Sequence, residues 1–153
     1  MTTTAMFRRA SLEDLPALVA LLADDPLGAT RENTAQPLDP GYTAAFRAME
    51  GDANYCLAVA EKGGVVVGCL QLSFLPGLSH RGMWRGQIEN VRISRAMRGQ
   101  GLGSEMIRWA IEACRERKCG LVQLTSHGSR SNARRFYEAL GFEATHVGLK
   151  LFL

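Results

Sequence analysis

Apolar positions change period several times along the chain, and each change marks an element. Residues 5–9 read as a short strand. Ser11-x-x-Asp14 is a helix-start signature, and Leu15, Leu18, Val19 and Leu22 follow at helical spacing, so residues 11–24 are predicted as an amphipathic helix. Pro16 sits slightly deep for a first-turn proline and costs one backbone bond or delays the helix start. Residues 26–40 hold Pro, Gly, Asn and Thr and read as a loop, before a second helix over 41–50.

The period then shortens. Residues 55–60 and 65–74 are predicted strands, joined by Glu61-Lys-Gly-Gly64, whose glycines suit the positive φ of a hairpin turn. A loop over 75–82 leads to a third strand, roughly 83–94. Residues 102–117 form the clearest helix, with Leu102, Met106, Trp109, Ala110 and Ala113 on one face and Glu105, Arg108, Glu112, Arg115 and Glu116 on the other. A short strand follows over 121–125. Residues 132–140 read as a helix with Ala133, Phe136 and Leu140 inward and Gly141 as a left-handed cap. The tail from 142 to 153 is predicted to add one or two closing strands. This order predicts a mixed α/β sheet within a single domain of residues 1–153.

Composition narrows the setting. The 153 residues are 46% hydrophobic and 22% charged, ordinary globular values, and a chain of this length buries roughly 70% of its unfolded surface. The longest apolar run, residues 15–23, is far too short to span a membrane. Asp24 and Asp25 stand where a signal peptide would carry small residues, so a cytoplasmic protein is expected. Four cysteines without a C-x-x-C pair, and three histidines not spaced beside them, predict reduced thiols and no metal.

The net charge of +3 hides a division. Residues 1–78 carry five Lys or Arg against nine Asp or Glu, and residues 79–153 carry thirteen against six. A basic second half points to an anionic partner. The excess is too small for a dedicated nucleic-acid binder, no recognition motif accompanies it, and neither a nucleic-acid nor a membrane partner is expected.

The anion has an obvious place. Arg98-Gly-Gln-Gly-Leu-Gly-Ser104 follows a predicted strand and opens the best helix, an arrangement that aims backbone N–H groups and a helix N-terminus at one point. A nucleotide P-loop is excluded because no Lys-Ser or Lys-Thr pair occurs. A dinucleotide fingerprint fails at Ser104, where the third glycine belongs, and lacks its later acidic residue. The pattern [Q/R]-x-x-G-x-[G/A] is met by Arg98, Gly101 and Gly103.

The stretch Ile88-Glu-Asn-Val-Arg-Ile-Ser-Arg-Ala-Met-Arg-Gly-Gln-Gly-Leu-Gly103 resembles the acetyl-CoA-binding motif of the GNAT N-acetyltransferase superfamily. Ser131-Asn-Ala-Arg-Arg-Phe-Tyr-Glu-Ala-Leu-Gly-Phe142 resembles that family's second motif, with Asn132, Tyr137, Gly141 and Phe142 in place. Asn132 and Tyr137 lie five apart, one short of the usual pattern. The resemblance implies an α/β (α+β) GNAT fold: a central mixed, mostly antiparallel six- to seven-stranded sheet flanked by about four helices. It also implies acetyl-CoA as acyl donor, an amine acceptor and, as in many relatives, a homodimer.

The chemistry sets further requirements. An alkylamine with a pKa near ~10.4 costs about 4.6 kcal/mol to deprotonate at pH 7, so attack on a thioester benefits from a general base. Glu89 is the candidate, on a strand face predicted to be shared with Val91 and Ile93 and partly desolvated. The competing reading is a glutamate paired with Arg85 or Arg92. The resemblance implies the base role, and it implies that Tyr137 protonates the leaving thiolate. Otherwise Tyr137 is an aromatic packed beside Phe136.

The resemblance assigns the coenzyme to Val91, Arg92 and Ile93, to the loop Arg98, Gly99, Gln100, Gly101, Leu102, Gly103 and Ser104, and to Asn132. A backbone N–H near Val91 would face the thioester oxygen. Arg134 and Arg135 approach the coenzyme's phosphates or are plain exposed charge. On the acceptor side, Arg31, Arg47, His80, Arg81 and Trp84 suit an acidic or phosphorylated amine, or are surface residues. The spacing Trp84-x-Gly86-x-Ile88-Glu89 is similar to small-molecule members that act on aminoalkylphosphonates. The alternatives are acetylation of protein lysines or N-termini, and a non-catalytic acyl-CoA-binding regulatory module, against which the presence of both Glu89 and Tyr137 weighs.

Overall fold

A computed structural model describes residues 4–153. Five strands form one sheet in sequence order: β1 (Met6–Arg9), β2 (Tyr55–Lys62), β3 (Val65–Leu75), β4 (Arg85–Ile93) and β5 (Leu121–Leu124). Neighbours are antiparallel except β4 and β5, which run parallel. Helices α1 (Leu15–Ala23) and α2 (Pro40–Glu50) precede β2. The single turn α3 (Ser79–Gly82) precedes β4, α4 (Leu102–Glu116) links β4 to β5, and α5 (Ser131–Ala139) follows.

Alternation along β2 and β3 sorts the core into two layers. Ala58, Ala60, Leu70 and Leu72 face α4, where they pack with Met106, Ile107, Ala110 and Cys114. Val59 and Cys69 point the other way, onto Leu18 and Leu21 of α1. Each fully buried Leu, Ile or Met side chain is worth about 1.5–3 kcal/mol. Contact between α4 and β4 is close enough that a β-carbon at Gly86 would overlap Cys114 Sγ.

Local chemistry accounts for the boundaries. Lys62 pairs with Val65, so Gly63 and Gly64 alone form the hairpin loop, with φ of 59° and 78°. The Asp14 amide donates to the Ser11 carbonyl at 3.0 Å, closing a 3-10 turn before α1, and the Ser11 amide donates back to Asp14 Oδ2 at 2.7 Å. Pro16 thus lies in the first turn of a helix that starts at Leu15, later than the predicted residue 11.

The sheet has five strands rather than six or seven. Residues 142–153, predicted to close it, join no strand. Phe142 packs against the core, while Val147, Leu149, Leu151, Phe152 and Leu153 are exposed.

Candidate active site

The parallel β4–β5 ladder is short. Arg85–Ile88 pair with Leu121–Leu124, and beyond Ile88 the two strands part, leaving one edge of β4 open from Glu89 onward. Just before the strands part, Gln123 Nε2 donates to Gln87 Oε1 at 2.7 Å. A cleft lined by unpaired strand backbone can take an extended, amide-containing ligand as if it were another strand.

A bulge interrupts the same stretch. Gln71 pairs with Glu89 and Cys69 with Arg92, so Asn90 and Val91 together oppose Leu70, and Asn90 takes a φ of 55°. The extra residue reverses the alternation. Ile88 and Val91 both pack on the α4 side, which puts Glu89 on the opposite face, exposed, with Gln71 Nε2 3.5 Å from its Oε2. The predicted shared face with Val91 and Ile93, and the partial desolvation that followed from it, are therefore corrected.

The glycine loop has the form an anion site requires. Gly99 and Gly101 have φ of 75° and 85°, and nothing lies within 4 Å of a β-carbon built on either. The space in front is open. Gly101 caps α4, and the amides of Leu102, Gly103 and Ser104 take no backbone acceptor among the described residues. Three free N–H groups at a helix N-terminus match a phosphate group, so the chain has the donors that a coenzyme pyrophosphate needs.

The loop's side chains turn away from that space. Gln100 Nε2 donates to the Ala96 carbonyl at 2.8 Å, and Arg98 Nε to the Ile93 carbonyl at 3.0 Å. Arg92 Nη1 donates to the Val91 carbonyl at 2.9 Å. The two β4 carbonyls assigned to the coenzyme arm are thus held by arginines. Arg98 serves the strand and Asp24 rather than the phosphate space for which its charge was read.

Tyr137 stands on α5 with its ring 5.0 Å from Phe136 and 5.8 Å from Phe142, both edge-on. The ring is half-buried, but its hydroxyl is not sealed. Burial raises its pKa, and the nearby charges of Arg92 and Arg130 only partly offset that rise. The phenol is therefore protonated at neutral pH, as a proton donor must be.

Those two arginines belong to a network that the sequence pattern did not reveal. Asp25, just beyond α1, accepts from the Leu27 and Gly28 amides at 2.8 and 2.7 Å. Its other oxygen lies 2.9 Å from Arg92 Nε and 3.0 Å from Arg130 Nη2. The Arg92 Nε–H is not aimed at an acceptor, so this contact is a charge pair rather than a directed hydrogen bond. Burial pushes the Asp25 carboxyl up, but the Gly28 amide and both arginines outweigh it and hold the pKa at about 2. Next to it, Asp24 takes Arg95 at 3.1 Å and Arg98 at 3.2 Å. The only sequence signal was an acidic pair in the acidic half and scattered arginines in the basic half.

The remaining candidates are less gathered. Asn132 is exposed on the first turn of α5, Arg135 is exposed, and Arg134 pairs with Glu138 at 2.8 Å. Arg31 is exposed beyond a 3-10 turn, and Arg47 pairs with Glu50 at 2.8 Å. His80 and Arg81 are exposed on α3, both left-handed with φ of 51° and 61°, and Trp84 is 36% exposed. Two surface depressions lie elsewhere, one against α2 and β2, the other outside the glycine loop.

The open β4 edge and the amide-rich turn after it stand in the order of the two motifs, and residues 16–142 match the sequence model of the Acetyltransferase (GNAT) family. The chain belongs to the GNAT acetyltransferase family. It is an N-acetyltransferase, of a family that uses acetyl-CoA. It is 30% identical over 139 residues to an aminoalkylphosphonate N-acetyltransferase of Salmonella typhimurium, covering 91% of this chain and 85% of that one. Over 90 residues it is 34% identical to a glucosamine 6-phosphate N-acetyltransferase of Trypanosoma brucei brucei, 59% of each chain. A solved structure described as a transcriptional regulator from Bacillus halodurans is 47% identical, with a TM-score of 0.96 over 98% of this chain and 100% of that one. No described helix is long and apolar enough to cross a membrane.

Proposed function

We propose that this single domain acetylates the primary amine of a small, phosphorylated or phosphonylated molecule in the cytoplasm, by direct transfer from acetyl-CoA. The observation that carries the reading is the match, along nine-tenths of the chain, to an enzyme whose name specifies an aminoalkylphosphonate. The basic residues Arg31, His80 and Arg81 on the acceptor side support it, since a phosphonate needs a cationic seat.

Acetyl-CoA supplies the activated thioester, and the chain supplies the rest. The amides of Leu102, Gly103 and Ser104 hold the pyrophosphate, and Val91 and Ile93 offer backbone groups along the open edge. Asn132, on the first turn of α5, is the further coenzyme contact of this reading. Glu89, exposed beside Gln71, accepts the ammonium proton directly or through water. Tyr137 donates a proton to the departing sulfur. Its burial, partly countered by Arg92 and Arg130, keeps that proton in place at neutral pH. A thiolate of pKa near ~8.5 needs only modest help, so the base carries more of the barrier than the acid.

Thiol release from acetyl-CoA across an amine panel tests the proposal. The panel pairs short aminoalkylphosphonates and amino sugar phosphates with their uncharged counterparts, and adds lysine peptides. Preference for the anionic members is the expected result; preference for peptides would replace the acceptor assignment. A second reading, a regulatory acyl-CoA-binding module, draws on the description of the Bacillus halodurans structure. Coenzyme binding without thiol release from any amine would favour it.

A further inference from the structure

Past Ile88 the strands β4 and β5 no longer pair, so no ladder holds the two sides of the opening together. Among the described residues, the hydrogen bonds and ion pairs of residues 126–146 stay within that segment, save the one from Arg130 to Asp25. Arg92 reaches the same carboxylate oxygen from β4. One oxygen therefore joins the open strand edge to the turn that leads into α5. Its seat is rigid, because the other oxygen accepts from the Leu27 and Gly28 amides at 2.8 and 2.7 Å. That turn is packed on the end of α1, where a β-carbon at Gly28 would overlap the Leu22 carbonyl. With the pKa held at about 2, the carboxylate stays charged throughout the neutral range.

Removal of that charge does more than delete two contacts. Two guanidiniums on one oxygen are like charges, and they repel once no carboxylate stands between them. Arg130 is the freer of the two, 32% exposed against 13% for Arg92, whose Nη1 is also held by the Val91 carbonyl. The repulsion is therefore relieved by Arg130, and with it by the start of α5. Further along, α5 is seated by apolar contact alone: Phe136 lies 3.5 Å from a β-carbon built on Gly103, and its ring meets Tyr137. Without Asp25, the leading end of α5 has no polar hold on the β4 side.

We infer that Asp25 is a positioning residue for the coenzyme: by seating Arg92 of β4 and Arg130 ahead of α5 on one carboxylate oxygen, it sets the width of the opening that the coenzyme's arm enters. The inference rests on the coenzyme lying along the open β4 edge, as the proposed function has it. It needs no particular amine and no proton transfer by Glu89 or Tyr137.

Calorimetric affinity for coenzyme A tests it in Asp25→Asn, beside the native chain and Gly101→Ala. The Asp25 variant is one charge more positive, so electrostatics alone would tighten an anionic ligand. Lost stability alone would leave the affinity of a folded variant unchanged. A widened opening weakens binding instead, and a roughly tenfold rise in Kd is expected. Hydrogen exchange without ligand is expected to quicken over Ser131–Ala139 by a larger factor than over Leu102–Glu116.

A Kd unchanged or lowered in Asp25→Asn overturns the inference. So does an equal exchange factor in both helices, which is global destabilisation. Gly101→Ala separates the positioning role from the coenzyme site itself. Weak binding there beside native affinity in Asp25→Asn overturns the positioning role and keeps the site, whereas native affinity in both overturns both. A native chain that binds coenzyme A yet releases no thiol overturns the proposed acyl transfer and leaves this comparison intact. If Asp25→Asn does not fold, Arg130→Met, which leaves Asp25 paired with Arg92, decides by the same exchange ratio. A larger factor over α5 supports the inference, and equal factors overturn it.

Discussion

The carboxylate of Asp25 lies 2.9 Å from Arg92 Nε and 3.0 Å from Arg130 Nη2, tying the end of α1 to β4 and to the loop before α5. The acidic first half and the basic second half of the chain meet at this contact and at the neighbouring pairs of Asp24. Charge asymmetry in the sequence is thus partly internal: four arginines of the basic half share two aspartates of the acidic half, which offset half of their charge before any ligand arrives.

Asp25→Asn tests what that contact is worth. The folded pKa of about 2 lies below the ordinary value near ~3.9, so the ion pair stabilises fully above the ordinary value and is lost as pH falls toward 2. The variant should lose on the order of 2 kcal/mol in urea unfolding at pH 7, and close to nothing at pH 2. An equal loss at both pH values would assign the effect to packing instead.

Gly101→Ala tests the phosphate cradle. A φ of 85° strains any L-residue, which should cost about 1 kcal/mol in stability, and the new methyl enters the open space in front of the loop. Coenzyme A affinity by calorimetry should fall roughly tenfold, equivalent to about 1.4 kcal/mol. Unchanged affinity in a stably folded variant would remove the loop from the coenzyme site.

Thiol chemistry is expected to be silent. Burial pushes Cys69 and Cys114 up to about 12 and raises Cys56 and Cys119 as well. An aromatic disulfide reagent at pH 7 should label the native chain slowly and all four cysteines rapidly once it is denatured. Rapid native labelling with loss of activity would point to a cysteine in the site and contradict direct transfer.

Much of this was legible in the sequence because it is local. Gly63-Gly64 between two alternating runs, the apolar face of α4, and Gly141 with its φ of 94° each carry their meaning within a few residues. The glycine loop was readable for the same reason. Glu89 was misplaced because a single bulge residue, Asn90, shifts the alternation, and period counting does not register an inserted residue. Asp25 was missed because its partners lie 67 and 105 positions away, where no periodic signal reaches. The tail alternates as a strand would, yet residues 142–153 form none, because period counting registers a pattern and not the presence of a ladder partner.

Arg81→Ala separates acceptor recognition from chemistry. Arg81 is exposed on a left-handed turn and makes no ion pair among the described residues, so its removal should leave stability unchanged. KM for an anionic amine should rise several-fold while that for an uncharged amine stays put. An equal change for both would show that Arg81 does not contact the anionic group.

The most direct test is turnover of the best amine from pH 6 to 9 by the native chain, Glu89→Gln and Tyr137→Phe. Loss of Glu89 should lower kcat/KM by about 10²-fold or more across that range. Loss of the Tyr137 hydroxyl should lower kcat while coenzyme binding and the ring contacts persist. Unchanged turnover in both variants across that range would contradict the assignment of base and acid.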